Sequence, residues 1–600
     1  MAAPSDDARE VVIDLIETPP KSIGGILLRI GPGLVIAGSI VGSGELIATT
    51  ATGAEAGFWL LWLILVGCLI KVFVQVEFGR YSIATGQGTM EGLDQVPGPR
   101  IAGRGNWLVW YWALMFCAML GQLGGIVGGV GQALTISLPL TPSGRAYNAQ
   151  MDAETRYAVA LAERKIASEQ SGTNAAQRTK KIDALNAQIA ALGPQIVARR
   201  FATVQEQLKS PAQSASGASD DLQRQALAIV QQRQREFPGQ PEKIFASRSK
   251  YAESEDPAAV AVDKLLKDIG RHKTQDPLLW AAIVAVITSI LLMLGRYGFI
   301  QHASTVMVAG FTFVTIVNLI MLQQHAAWSI SWQDILNGFS FRLPPPPLDQ
   351  TQAVRTALFT FGIIGVGASE LIAYPYWCLE RGYARYVGPM DKSQAWANRA
   401  RGWLTVMRWD AWCSMVIYTF ATIAFYLCGA AILGRIHLVP QGSEMIRTLS
   451  LMYEPVFGSW AQILFLFGAF AVLYSTFFIA NAGQARMCAD AFQVLGFTAK
   501  NPKTLRRVVI GLSGLFPLIC LAIYAAFPND PKQLVLISGM MQAIMLPMLS
   551  AAALYFRYRR SDPRIMPSKL WDIFLWISAI GMLITGASAA YLQLAKQFGW

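Results

Sequence analysis

The sequence predicts an all-α integral membrane protein of about eleven transmembrane helices, arranged as two five-helix halves in inverted repeat with one inserted hydrophilic helical segment. Three observations predict it. Apolar runs recur at lengths that cross a hydrocarbon core, about 20 residues per helix. Basic residues gather in alternate loops. An octamer built around a glutamate occurs once in each half.

Across the 600 residues, 53% are hydrophobic and only 15% charged, and mean hydropathy is +0.37, where a soluble domain carries roughly 25% charged residues. Apolar spans run approximately over 25–52, 58–78, 107–138, 278–296, 300–323, 353–379, 404–434, 457–485, 508–527, 533–556 and 571–593. Each reads as helical, because an open strand would leave backbone groups unpaired in lipid. The corresponding layout is a tail over 1–24, spans one to three within 25–140, the insertion over 141–277, and spans four to eleven within 278–600.

The loops set the orientation. Arg80, Arg100 and Arg104 follow span two; Arg381, Arg385, Lys392, Arg399 and Arg401 follow span six. Lys500, Lys503, Arg506 and Arg507 follow span eight, and Arg557, Arg559, Arg560 and Arg564 follow span ten. With eleven spans these loops share one side, which places the N-terminus in the cytoplasm and the C-terminus outside, in the plasma (inner) membrane if the source is bacterial. The net charge of +12 is thereby explained without a nucleic-acid partner; lipid is the surrounding medium. No cleaved signal is evident in 1–21, so the first span is expected to direct insertion.

The insertion, rich in Ala, Gln, Arg, Lys and Glu, falls outside by the same count, since long loops translocate regardless of charge. Ile182, Leu185, Ile189, Leu192 and Ile196 form an apolar helical stripe. Gly193-Pro194 is expected to break or kink that helix. Pro211 to Ser219 reads as a linker, followed by a second amphipathic stretch with Leu222, Ala226 and Ile229 on one face. A small helical hairpin or cap results, with no chemistry assigned and no partner specified.

Span one contains Val41-Gly42-Ser43-Gly44-Glu45-Leu46-Ile47-Ala48 and span six Val366-Gly367-Ala368-Ser369-Glu370-Leu371-Ile372-Ala373. An odd number of helices per half inverts the second half, and Gly-interrupted helices then meet near the midplane. A carboxylate at that depth costs several kcal/mol unless paired or facing a polar cavity. Gly42, Gly44 and Gly367 weaken the helices, freeing carbonyls. Together with Ser43, Ser369, Glu45 and Glu370 they form an oxygen-rich cage that suits hard ions such as Mg²⁺, Mn²⁺ or Ca²⁺. Glutamates that merely pack in protonated form are a blander explanation, weaker for two matched positions than for one.

The surrounding residues resemble the Nramp family of divalent-metal transporters. The resemblance rests on Gly31-Pro32-Gly33, Gly53-Ala54-Glu55-Ala56-Gly57-Phe58, Gln75 with Ile83-Ala84-Thr85-Gly86, Ser475-Thr476 with Ala482-Gly483-Gln484, and Ser538 with Leu546-Pro547. It implies a LeuT-like fold with broken helices one and six, and a transported divalent cation rather than a resident cofactor. Asp410 matches an acidic residue of the family's seventh helix, and Gln122, Gln484 and Gln542 stand as further pathway residues. Departures are equally specific. The family's Asp-Pro-Gly-Asn reads Gly42-Ser43-Gly44-Glu45 here, its Met-Pro-His is absent around Ser369-Glu370-Leu371, and its acidic residues of helix three appear as Gln122 and Gly125. These departures remove the thioether that favours softer metals and the usual proton route, and the family's magnesium-transporting branch, which also lacks the Met, raises Mg²⁺.

The leading reading is a secondary transporter moving a divalent cation by alternating access. A transporter of an organic solute such as an amine or amino acid, and a transport-dead receptor, are the other two. Enzymatic activity has no motif: His272, His302, His325 and His437 are scattered, and the seven cysteines lie in or beside apolar spans without ligand spacing.

Overall fold

The computed structural model describes residues 16–33, 41–101, 103–169, 175–209, 217–246, 262, 265–266, 268–295, 297–325, 327–346 and 348–598. Eight described helices are long and apolar enough to cross a membrane: Leu61–Thr85, Trp107–Ser137, Asp276–Leu294, Gln394–Gly434, Ala461–Val494, Pro502–Ala526, Pro531–Arg560 and Lys569–Phe598. They are spans two to four and seven to eleven. Span five is the helix Tyr297–Leu322. Of the other two, span six comes in pieces, as its glycine-bearing octamer predicts. Span six runs Gln350–Phe361 and resumes as Ala368–Arg381. Span one has a short helix Ile23–Arg29, then a wide π-helical turn Gly44–Thr49 continuing as Thr50–Ala56; residues 34–40 lie outside the described set.

Span seven starts ten residues earlier than its apolar stretch suggests. Ser393 caps its first turn by accepting from the Trp396 amide at 3.0 Å, so the helix begins where the cap is rather than where hydropathy rises.

Spans one and seven meet backbone to backbone. A Cβ on Gly53 would strike the Tyr426 carbonyl, and one on Gly429 the Thr50 carbonyl, the small-residue packing that lets transmembrane helices approach closely. Spans six and ten do the same through Gly362 and Gly539. At the far end of span one, half-buried Glu55, its side chain 8% exposed, pairs with buried Lys532 at 2.7 Å. Lys532→Met strands Glu55 and should cost about 3–5 kcal/mol of stability. The double variant Glu55→Met, Lys532→Met should recover most of that loss. Thermal unfolding of the purified proteins in detergent checks both.

The insertion forms a second compact unit, Thr135–Asp276. Helix Pro142–Glu169 packs on Ala175–Lys209, and Gly217–Glu236 follows. The predicted stripe faces inward: Leu185 and Ile196 are buried and Ile182, Ile189 and Leu192 half-buried. Ala226, with Leu222 and Ile229 against it, joins Val197, Val230 and Phe245 in the unit's own apolar core. Gly193-Pro194 does not break its helix, which runs unbroken to Lys209. The bare Gly193 backbone accepts the close approach of Gly239, against which Pro194 packs, and that contact holds the segment helical. Glu154 bridges Arg200 at 2.8 Å and Arg271 at 2.9 Å; burial pushes the Arg200 guanidinium down to about 10, opposed by the Glu154 charge. The predicted linker lies mostly outside the described residues, with Gly217, Ala218 and Ser219 already in the third helix.

Candidate ion site at the helix breaks

Span six stops because its chain turns away at Gly365, whose φ of +57° is a left-handed conformation open to glycine. The sequence singles out Gly367 instead. Gly367 is the N-cap of the second half and has no side chain to cap it. The exposed ends are satisfied from other helices. Lys71 of span two donates to the carbonyls of Phe361 and, at 2.8 Å, Ile364. Gln542 of span ten accepts from the Ser369 amide at 3.2 Å. A cation at a helix C-terminus and an acceptor at an N-terminus is the arrangement that orphan carbonyls and amides require. Glu370 sits in the first turn of the second half, where the helix dipole stabilises a carboxylate.

Span one presses onto this break. A Cβ on Gly44 would lie 3.2 Å from the Ile363 carbonyl, and Thr52 and Thr360 share a hydrogen bond of 3.0 Å. Gly42 is glycine because the Thr476 side chain of span eight stands where its Cβ would be. In the π-turn, Thr49 donates to Gly44 O at 3.0 Å and Thr50 to Glu45 O at 3.3 Å, taking up carbonyls that the wide helix frees.

Between spans one, three, six and eight lies a cavity of about 30 Å³, lined by Ser43, Gly44, Met119, Gln122, Leu123, Ile126, Ile363, Ser369, Glu370, Thr476, Ala480 and Gln484. Of the predicted cage, Ser43, Ser369 and Glu370 line it. Glu370 is half-buried and opens onto it. Gly42 and Gly367 lie beside it. Glu45 is turned away: its carboxylate accepts from the Gly42 amide at 3.3 Å and the Thr422 hydroxyl at 3.2 Å, and the Gly365 amide also reaches it. Three donors outcompete an open cavity for its oxygens, so Glu45 fastens span one to span seven and to the break in span six.

Gln122 holds the cavity together. It donates to Ser43 at 3.2 Å and accepts from Ser538 at 2.8 Å and Gln542 at 3.1 Å. Gln484, buried, donates to Met119 Sδ at 3.6 Å while its Oε1 has no partner among the described residues, leaving an oxygen available to a cation. Asp410 belongs elsewhere. It accepts from the Gly31 amide at 2.8 Å, the Gly33 amide at 2.5 Å and the Tyr374 hydroxyl at 3.0 Å, anchoring the Gly31-Pro32-Gly33 turn. Gly125 lies against the Pro531 carbonyl, where no side chain fits.

Sequence reasoning missed Lys71, Gln542's capping role and Met119. Lys71 had a visible signal, an ammonium deep within an apolar span. Met119 had none, because its thioether arrives from span three rather than span six. Among the described residues, no three His, Cys, Asp or Glu side chains converge, so an ion here would depend on hydroxyl, amide and carbonyl oxygens around one carboxylate.

Residues 273–592 match a family model described as natural resistance-associated macrophage protein-like, Nramp. A divalent metal cation transporter MntH from Clostridium acetobutylicum is 26% identical over 125 residues, 21% of this chain and 28% of that protein. The MntH of Caldanaerobacter subterraneus subsp. tengcongensis is 28% identical over 116 residues, 19% of this chain and 26% of its own length. The chain thus aligns with little more than a quarter of either relative. A crystal structure of a mutant manganese transporter from Eremococcus coleocola superposes with a TM-score of 0.50 at 14% identity, covering 97% of this chain and 90% of that one; at that identity the likeness is one of fold.

Proposed function

The chain belongs to the Nramp family, and from that premise we propose that it is a secondary transporter moving a hard divalent cation, Mg²⁺ or Mn²⁺-like, by alternating access. The observation that carries this reading is Glu370, a carboxylate at the start of the second half of a broken helix, open to a cavity where four spans meet. About 30 Å³ is room for an ion with one or two waters, a cavity needing roughly 10–15 Å³ of this measure per water. It is too small for an amino acid or amine in this conformation, which favours the ion over the organic solute.

Donor chemistry supports hardness. Ser43, Ser369, Gln484 Oε1 and Glu370 offer oxygen, which suits Mg²⁺ and Mn²⁺. Met119 is the soft donor among the lining residues, and its sulfur already accepts from Gln484. The reading is tested in proteoliposomes loaded with an ion-sensitive dye. Inward flux of Mg²⁺ or Mn²⁺ that saturates, with no flux of amino acids, supports it; solute flux without ion flux refutes it.

The orientation belongs to the same reading: N-terminus cytoplasmic, C-terminus and the 141–277 insertion outside. Gln188 is exposed on the second insertion helix. Gln188→Cys in intact cells should react with an impermeant maleimide to the extent seen after lysis. Labelling confined to lysed cells would invert the topology.

A further inference from the structure

Lys71 is fully buried in span two and cannot snorkel to water, yet the transport reading gives it no task. Its ammonium meets two kinds of group. It donates to the carbonyls of Phe361 and Ile364, the first ending a helix and the second lying within the break. It stands 4.6 Å from the centroid of the Phe361 ring, within cation–π range. Freed carbonyls and an aromatic face together form the surroundings of a small monovalent cation.

We propose that the break in span six contains a monovalent-cation site whose occupant is built into the chain. The Lys71 ammonium takes the place of an inorganic ion, bridging Phe361 and Ile364 so that the break keeps the shape that presents Glu370. The chain itself thereby supplies the occupant, and the fold needs no sodium or potassium to organise the break. Lys71 is a positioning residue: it touches the break, not the cargo.

Thermal unfolding in detergent tests this without any cargo, so its failure is separate from failure of the divalent-ion reading. Lys71→Ala removes the ammonium and leaves the carbonyls. Sodium, potassium, ammonium and methylammonium chlorides are compared with choline chloride at equal ionic strength. Wild type should melt at one temperature in all five. Lys71→Ala should melt several degrees lower in choline and recover saturably with a small cation, methylammonium most, since it restores the deleted head group. A purely structural lysine would give the loss without the cation-selective recovery, and that result overturns the proposal. Saturable stabilisation of wild type by sodium or potassium over choline overturns it equally. Should Lys71→Ala fail to fold, Lys71→Met decides the matter: this neutral side chain, one atom shorter than lysine, vacates only the place of Nζ, so its melt should recover saturably with ammonium, and either wild-type-like melting without any cation or no recovery with ammonium refutes the tethered-ion role.

Discussion

Glu370→Gln is expected to abolish saturable divalent-ion flux and to weaken ion binding at least about a hundredfold, roughly 2.7 kcal/mol, while the protein stays folded. The substitution keeps the side chain's shape and removes the charge that faces the cavity. Without it the lining retains amides, hydroxyls and a thioether, none of which balances a divalent charge where water cannot screen it. Glu45→Gln should behave differently. Its carboxylate is committed to Gly42, Thr422 and Gly365, so the loss falls first on stability, and binding weakens only as far as the break in span six loosens. Isothermal titration with Mg²⁺ and Mn²⁺, read beside thermal unfolding, separates the two variants. Equal, purely affinity-based losses would return Glu45 to the ion's own shell, and normal flux in the double variant would end the metal reading.

Gly362→Val is expected to prevent accumulation of folded protein. The added Cβ would run into the Gly539 carbonyl and the Ala543 amide of span ten, and neither is a side chain that can rotate aside. Overpacking a close contact costs about 1–3 kcal/mol even where neighbours adjust; against two backbone groups the cost should reach or exceed the top of that range. Gly539→Val should fail in the same way against the Phe359 carbonyl, whereas Gly483→Ala, whose nearest neighbour would be the Trp377 ring at 3.9 Å, should be tolerated. Fluorescence size-exclusion profiles of the three variants check the contrast.

Much of this was legible from the chain because lipid imposes local rules. Span length and loop charge speak one segment at a time, and the octamer of span six marked its broken helix. What stayed hidden depends on which face meets which. The Glu45 and Glu370 octamers look alike, yet one carboxylate is clasped by three donors and the other opens onto the cavity, because Thr422 and Gly365 happen to stand beside the first. Gln542 reads as a polar residue in span ten until the Ser369 amide is seen against it. Asp410 matched a family position and turned out to hold the Gly31-Pro32-Gly33 turn. Periodicity cannot supply those pairings, which join residues from 173 to 379 positions apart.

The clasp at the root of the insertion has a consequence for chain statistics. Asp276 accepts from the Leu140 amide at 2.7 Å, the Thr141 amide at 3.1 Å and the Thr141 hydroxyl at 2.6 Å, so the segment leaves and returns through one doorway. Each doubling of a flexible loop adds about 0.6 kcal/mol of closure entropy. An unstructured tether of the insertion's length would therefore burden spans three and four by about 2–3 kcal/mol relative to a short turn. With its ends fastened, the segment weighs on the rest of the polymer as a few residues would. Such an excursion can lengthen, shorten or be exchanged for a brief glycine–serine bridge at little entropic expense to the membrane body, and its size ceases to be a constraint on the fold that carries it.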